Sequence, residues 1–182
     1  MNTGLFVGRF QPFHNGHMKA IEYSIERSDR LIVCVGSAQK NHEADNPFTA
    51  GERIEMVWRV LAHGNLKKPV LITAVDDVQN HELWLAHLES YLPQFNDVFS
   101  NDPMTELLVR ESSHKIINVP LVDREELMAT VIRSKMAKGE RWKQLVPTAV
   151  YDYLVNEIDG ENRVKFLLTQ VNHNPLKKLP GI

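Results

Sequence analysis

Apolar residues occur along the chain in two kinds of run, and the two kinds alternate. Short continuous apolar runs bounded by glycine or polar residues are typical of strands buried on both faces. Stretches with apolar residues at helical spacing are typical of helices that bury one side. The pattern predicts strands at residues 3–8, 31–35, 69–75, 97–100 and 115–119, and helices at 16–27, 49–61, 81–91, 103–111, 129–138, 148–158 and 161–171. Thr49 followed by Glu52 is typical of a capping box at a helix start.

The alternation of strands and helices predicts the fold class. It favours βαβ units, in which helices cover both faces of a parallel sheet. We therefore expect an α/β, Rossmann-like parallel sheet with a small helical C-terminal part, as one domain over residues 1–182. The helices after residue 148 are expected to pack on the rest of that domain. Ligands of such sheets bind beyond the carboxyl ends of the strands, so the loops after the first three strands form the candidate site.

Composition excludes several classes of protein. The chain has 182 residues, of which 43% are apolar and 24% charged, and a formal net charge of −2, as in an ordinary globular protein. We expect no nucleic-acid partner because basic residues do not cluster, and no membrane span because no apolar stretch approaches ~20 residues. The one cysteine, Cys34, lies in an apolar run and cannot form an internal disulfide, so we expect a cytoplasmic protein.

The strongest chemical signal follows the first predicted strand, where residues 8–17 read GRFQPFHNGH. Gly8 lets the backbone approach a ligand, and Gly16 leaves room where the next helix begins. His14 on the loop and His17 in the first helical turn then lie beside a helix N-terminus, which favours phosphate through its free N–H groups and its dipole. The sequence therefore predicts a phosphate site.

Two other interpretations of these histidines exist. They can be incidental to an ordinary strand-loop-helix, or they can ligate a metal ion. Zinc needs three or four protein ligands, and the only cysteine lies within a predicted strand. We therefore expect no metal site built from protein residues.

Residues 8–17 resemble the H-x-G-H signature of the nucleotidylyltransferase superfamily. With their Arg-Phe-Gln-Pro-Phe lead, they resemble the archaeal-type nicotinamide-nucleotide adenylyltransferases. Three further segments are similar to that family, namely GSAQ at 36–39, NPFTAGER at 46–53 and the stretch 77–84, which ends in Leu-Trp. Chain length and motif order fit from residue 4 to about residue 147.

The resemblance implies a set of residues for ATP. The family's second phosphate motif, S-x-T-x-x-R at the start of a late helix, matches residues 128–133, but Met128 replaces the serine. Methionine neither caps a helix nor offers phosphate a hydroxyl. The implied catalytic residues are His14, His17 and Arg133. The implied ATP- and phosphate-binding residues are Gly8, Arg9, Phe10, Gly16, Arg124, Thr130 and Arg133. Arg53 is a further candidate phosphate clamp, or a surface charge near the start of its helix.

The resemblance also implies a nicotinamide nucleotide site. Its residues are Gln39, Asn80, His81 and Trp84, with Trp84 as the platform on which the ring stacks. The family usually has asparagine where this chain has His81, and Asn80 lies one residue earlier. A tryptophan on a helix can equally belong to the core.

The implied reaction is attack of the mononucleotide 5′-phosphate on the α-phosphorus of ATP, which gives NAD and releases pyrophosphate. Mg²⁺ is the implied cofactor, bridging the phosphates mostly through water and substrate oxygens. The implied partners are ATP and nicotinamide mononucleotide, in a homo-oligomer as is common in the family. Two alternatives stay open. One is another H-x-G-H enzyme that accepts pantetheine phosphate or flavin mononucleotide. The other is a catalytically impaired nucleotide sensor, which the replacement of the motif serine by Met128 suggests.

Overall fold

The computed structural model describes residues 1–64, 67–120 and 126–173, with side chains to residue 170. Five parallel strands form one sheet in the order β3-β2-β1-β4-β5. The strands are β1 (Thr3–Gly8), β2 (Arg30–Val35), β3 (Val70–Ala74), β4 (Asp97–Phe99) and β5 (Lys115–Ile117). The α-helices are α1 (Asn15–Glu26), α2 (Ala50–His63), α3 (Trp84–Tyr91), α4 (Pro103–Arg110), α5 (Ala129–Lys138), α6 (Thr148–Asn156) and α7 (Gly160–His173). The predicted α/β fold with a parallel sheet is confirmed.

Helices cover both faces of this sheet because alternate residues of each strand point to opposite sides. On one face, Leu5 and Cys34 pack against α3 and α4. On the other face, Phe6 and Val33 pack against α1, α2 and the C-terminal helices. Burial raises the pKa of the Cys34 thiol to about 12, so this residue behaves as a small apolar side chain.

The strand predicted at residues 115–119 ends earlier, at Ile117. The side chain of Asn101 hydrogen-bonds both the backbone carbonyl and the backbone N–H of Val119. It donates from Nδ2 to the Val119 carbonyl at 2.7 Å and accepts from the Val119 N–H at 3.1 Å. The pairing of the last strand is therefore replaced by a side-chain clamp, which hydrophobicity alone does not reveal.

The C-terminal helices are fixed to the start of α2. Thr49 and Glu52 form the capping box that their spacing predicts. Arg163 of α7 donates from Nη1 to both Glu52 carboxylate oxygens, at 2.7 and 2.8 Å. Partial burial acts to raise the pKa of Glu52, but the hydrogen bonds from Arg163 and Thr49 outweigh it and lower that pKa. The carboxylate is thus charged and joins α7 to α2.

The strand order places a crevice beside β1. The chain leaves β1 for β2 and β3 on one side and returns to β4 on the other. In open α/β sheets, ligands bind at the carboxyl ends of the strands at such a switch point. The loops after β1, β2, β3 and β4 are therefore the walls of the candidate site.

Candidate active site

The loop after β1 folds back under its own strand. Phe10 has a φ of 51° and a fully buried side chain. A Cβ on Gly8 would lie 2.7 Å from the Phe10 ring, so the Phe10 ring fills the space on the Cβ side of Gly8. Because that ring is closed off, only the backbone of Phe10 can reach a phosphate.

His14 and His17 cap the start of α1 reciprocally. The His17 N–H donates to Nδ1 of His14 at 3.4 Å, and the His14 N–H donates to Nδ1 of His17 at 3.2 Å. A neutral imidazole whose Nδ1 accepts carries its proton on Nε2. Both rings therefore have an Nε2–H group left to donate to a ligand.

The surroundings of the two rings keep them neutral. They stack with their centroids 3.6 Å apart, and Phe10 and Phe13 pack against the His17 ring at 4.8 and 5.5 Å. Burial lowers the pKa of His14 to about 4. Burial, and then the charge of His14, hold the pKa of His17 well below 6.5. At neutral pH the pair is a set of uncharged hydrogen-bond donors.

The start of α5 lies against the start of α1. A Cβ on Gly16 would lie 3.1 Å from the His14 ring and 3.6 Å from Cβ of Leu127, so Gly16 makes room for the ring and for this contact. Met128 is the N-cap of α5 and makes no side-chain cap, as its residue type predicts. Thr130 is exposed in the first turn of α5. Two helix N-termini thus meet beside the histidines, which favours an anion.

Arg133 lies one turn further along α5 and is only 3% exposed. Its Nη1 donates to the Gln11 carbonyl and its Nη2 to Asp45 Oδ1, both at 2.9 Å. Burial lowers the pKa of Arg133, the Asp45 carboxylate opposes this, and the positive charge of Arg9 adds to it. Arg9 itself is exposed. Arg133 thus contacts the loop after β1 at Gln11, close enough to Arg9 for the two charges to interact.

Arg53 of α2 is fully buried. The six hydrogen bonds that its guanidinium makes in the described part of the chain, of 2.8–3.5 Å, all go to backbone carbonyls. The acceptors are the carbonyls of Arg9, Gly36, Ser37, Ala38, Lys40 and Thr49. Arg53 thus joins the loop after β1 to the loop after β2. It is neither the phosphate clamp nor the surface charge that the sequence suggests.

A cleft opens above the carboxyl ends of β1, β2 and β4. It comprises two adjoining cavities of about 280 and 410 Å³, and both are lined by Asp77, Trp84, Asp102 and Thr105. Gly8 and Arg9 line the smaller cavity. The cleft is therefore continuous with the loop that carries the histidine pair.

The four residues expected at the nicotinamide nucleotide fall into two groups. Trp84 is half-buried and lines both cavities, and His81 lines the larger one. Gln39 is exposed, and its Oε1 accepts from the Asp77 N–H at 3.0 Å. Asn80 caps the 3-10 turn His81–Leu83 by accepting from the Glu82 N–H at 3.1 Å. Gln39 and Asn80 thus shape the loop that presents Trp84 and are absent from the described lining of the cleft.

Asp77 is a cleft residue that the sequence reasoning missed. Its carboxylate accepts from the Ser37 hydroxyl at 2.9 Å and pairs with Lys40 Nζ at 2.8 Å. Partial burial acts to raise the pKa of Asp77, but the Lys40 and Ser37 hydrogen bonds lower it overall. Its place after an apolar strand was the available signal.

Other expectations lie partly beyond the described residues. Arg124 falls in residues 121–125, which the structure does not describe. Within the described ranges, no group of three or more histidine, cysteine, aspartate or glutamate residues is placed to hold a metal ion. None of the helices described is both long enough and apolar enough to cross a membrane.

Comparison with known proteins gives a consistent set of relatives. Residues 5–145 match the cytidylyltransferase-like family. The nicotinamide-nucleotide adenylyltransferase of Pyrococcus furiosus is 40% identical over 173 residues, which cover 94% of this chain and 92% of the relative. The enzyme of the same name from Methanocorpusculum labreanum is 41% identical over 165 residues, or 91% of this chain and 96% of the relative.

A solved structure shares the fold. It is a bifunctional NMN adenylyltransferase/ADP ribose pyrophosphatase from Francisella tularensis, complexed with AMP and a manganese ion. The TM-score is 0.73 at 21% identity, over 94% of this chain. This chain spans about half, 53%, of that longer protein, so the likeness concerns the fold alone.

The hydrogen bonds of Arg53 predict that even a substitution that keeps its positive charge will lower the stability of the fold strongly. In Arg53→Lys, an ammonium group with three donors replaces the planar guanidinium with five, so several buried carbonyls lose their donor. We expect the free energy of unfolding, measured by urea titration, to fall by about 3 kcal/mol or more. Arg110→Lys, at an arginine whose side chain is 66% exposed on α4, is the control and should change stability little. Equal effects in the two variants would contradict the structural role of Arg53.

The lowered pKa of His14 predicts a pH dependence of stability. Between pH 6.5 and about 4 the unfolded chain binds this proton and the folded chain does not. Stability therefore falls on acidification through this range, by about 3 kcal/mol from His14. His14→Asn keeps a good N-cap but removes the imidazole that titrates at this position. The free energy of unfolding, measured by urea titration, should therefore differ less between pH 4.5 and pH 7 than in wild type. The exposed His42→Asn should behave as wild type, and an unchanged slope in His14→Asn would be the contrary result.

Proposed function

Because the chain belongs to the nicotinamide-nucleotide adenylyltransferases, and is thus a nucleotidyltransferase of NAD biosynthesis, we propose that its substrates are ATP and nicotinamide mononucleotide. Its products are then NAD and pyrophosphate. Assembly into a homo-oligomer is part of the same proposal and rests on the family alone. The observation that carries the proposal is the neutral pair of His14 and His17, held at the meeting point of two helix N-termini beside the cleft.

The chemistry needs no general base. The attacking 5′-phosphate is already anionic at neutral pH, so its oxygen bonds to the α-phosphorus while the bond to the β-phosphate oxygen breaks and pyrophosphate leaves. Catalysis then consists of positioning and stabilisation of charge. The Nε2–H groups of His14 and His17 donate to the α-phosphate as its charge shifts. Because the rings are uncharged before ATP binds, they form no salt bridge that the α-phosphate would have to displace.

The remaining phosphates need cationic partners. Arg9, on the loop after β1, and Thr130 and Arg133, on α5, are proposed to hold the β- and γ-phosphates, which become the leaving group. Mg²⁺ is proposed to enter with ATP as part of the substrate, held by phosphate oxygens and water. This fits the described residues, which offer exposed single carboxylates at the cleft and no cluster of ligands.

The cleft suits a nicotinamide ring because that ring is a cation in the mononucleotide. The face of a tryptophan attracts cations, and Trp84 lines both cavities together with the carboxylates of Asp77 and Asp102. A flavin or pantetheine group is uncharged at the corresponding end and gains no such attraction. Because Arg9 and Lys40 also line these cavities and balance the two carboxylates, it is the face of Trp84 that favours the nicotinamide acceptor.

The reaction is tested by pyrophosphate release with ATP, Mg²⁺ and one acceptor at a time. The acceptors are nicotinamide mononucleotide, its acid form, pantetheine phosphate and flavin mononucleotide. We expect fastest release with nicotinamide mononucleotide, and a kcat lower by about 10²- to 10³-fold in His17→Ala because one donor to the reacting phosphate is lost. His42→Ala, at an exposed histidine, should retain wild-type activity. Pyrophosphate release only with another acceptor would assign that acceptor as the substrate. ATP binding without pyrophosphate release would favour a catalytically impaired nucleotide sensor.

Substitution of Trp84 tests the acceptor site separately. Loss of a stacked ring costs roughly 1–3 kcal/mol, so Trp84→Ala should raise KM for nicotinamide mononucleotide by about 10-fold or more. KM for ATP should stay within twofold of wild type. Trp84→Phe should restore most of the loss, and Trp58→Ala, at a tryptophan 56% exposed on α2, should have no effect. A rise in KM for ATP alone would instead assign Trp84 to the adenine.

A further inference from the structure

The Arg133 guanidinium is buried, but the carboxylate that pairs with it is not. The Arg133 side chain is 4% exposed and the Asp45 side chain 78% exposed, with 2.9 Å between Nη2 and Oδ1. Asp45 belongs to the polar loop between β2 and α2. An ion pair with one largely exposed partner is easily exchanged for another anion, because that partner regains its hydration when it leaves.

Two buried polar atoms beside this ion pair lack a partner within the described part of the chain. They are Nε of Arg133 and Oδ1 of Asn46, the residue next to Asp45. An unpaired buried donor such as Nε costs free energy. A carboxylate with two oxygens leaves this donor unused, whereas a polyphosphate has more oxygens to offer. The site is therefore incompletely satisfied by Asp45.

The arginines near this ion pair are close enough to influence one another. Burial lowers the pKa of both Arg53 and Arg133, and the positive charge of Arg9 adds to this, whereas Asp77 and Glu52 oppose the shift at Arg53 and Asp45 opposes it at Arg133. Three guanidinium groups thus act on one small region. Arg53 is saturated by carbonyls, which leaves Arg9 and Arg133 as the cations that can meet a ligand.

The loop that carries Asp45 is anchored at both ends, and Asp45 lies in a turn between these anchors. Arg53 holds the carbonyls of Ser37 and Lys40, and Gln11 holds the backbone of Phe48 through two hydrogen bonds of 2.9 Å. Between these anchors, a local turn pairs the backbones of Glu43 and Asn46. Because its side chain is 78% exposed, Asp45 can rotate away from Arg133 while the turn and the anchored ends stay in place.

We propose that the Asp45 carboxylate occupies, in the free protein, the position on Arg133 that the β- and γ-phosphates of ATP take when they bind. Asp45 is thus a positioning residue that acts through Arg133 and lowers the affinity for a triphosphate. A nucleotide without those phosphates, such as AMP, leaves the ion pair intact. The inference rests on the proposed function, because it assigns the phosphates of that reaction to Arg133.

The test measures binding of ATP and AMP separately, by calorimetry at fixed salt and Mg²⁺. Asp45→Asn keeps an oxygen acceptor of the same size but removes the charge. An exposed ion pair is worth up to about 1 kcal/mol, so Kd for ATP should fall by about 3- to 5-fold. Kd for AMP should not change, and in turnover KM for ATP should fall while kcat stays within twofold.

Glu43→Gln is the matched control, since it removes the same charge from the same loop and leaves Arg133 paired. It should bind both nucleotides as wild type does. Equal or weaker ATP binding in Asp45→Asn, or the same gain for AMP or in Glu43→Gln, would overturn the inference while leaving the proposed function intact. Failure of the wild-type chain to bind ATP would overturn both.

Discussion

The site depends on one buried arginine. Arg53 has no exposed surface, and its described hydrogen bonds all go to backbone carbonyls, which come from the loops after β1 and β2 and from the start of its own helix. A charge in such a place is stable only while those dipoles stay aimed at it, because a buried ion without partners is very costly. Each loop therefore holds the arginine, and the arginine holds each loop. The functional loops thus share one stabilising interaction and are ordered together.

This constraint explains how a short motif can build a phosphate site. With the Arg9 carbonyl fixed, Phe10 turns back beneath Gly8, and Gln11 ties the same loop to Phe48. His14 then begins α1 at a set place, and its mutual cap with His17 leaves the two Nε2–H groups as the donors. Burial keeps the rings neutral. The fold therefore prepares donors for a phosphate before any ligand arrives.

Local patterns in the sequence predicted most of the fold. Apolar runs and helical spacing placed the strands and α-helices of the described residues, and the Thr49–Glu52 capping box formed as predicted. Local patterns did not predict the contacts between residues that are distant in the sequence. Arg53 looks like a surface charge, because its burial depends on carbonyls many residues away. The space at Gly8 is filled by Phe10, and the pairing of Arg133 with Asp45 joins two segments that are 88 residues apart. Short-range signals name the site residues but do not show which of them face a ligand.

The central claim is that two neutral histidines present paired Nε2–H donors to a nucleotide phosphate. Nuclear magnetic resonance of nitrogen-15-labelled histidine reports the charge and the protonated nitrogen of each ring directly. At pH 7, His14 and His17 should both be neutral with the proton on Nε2, and both Nε2–H signals should shift when ATP is added. A charged ring, a proton on Nδ1 of either residue, or signals unchanged by saturating ATP would contradict the account.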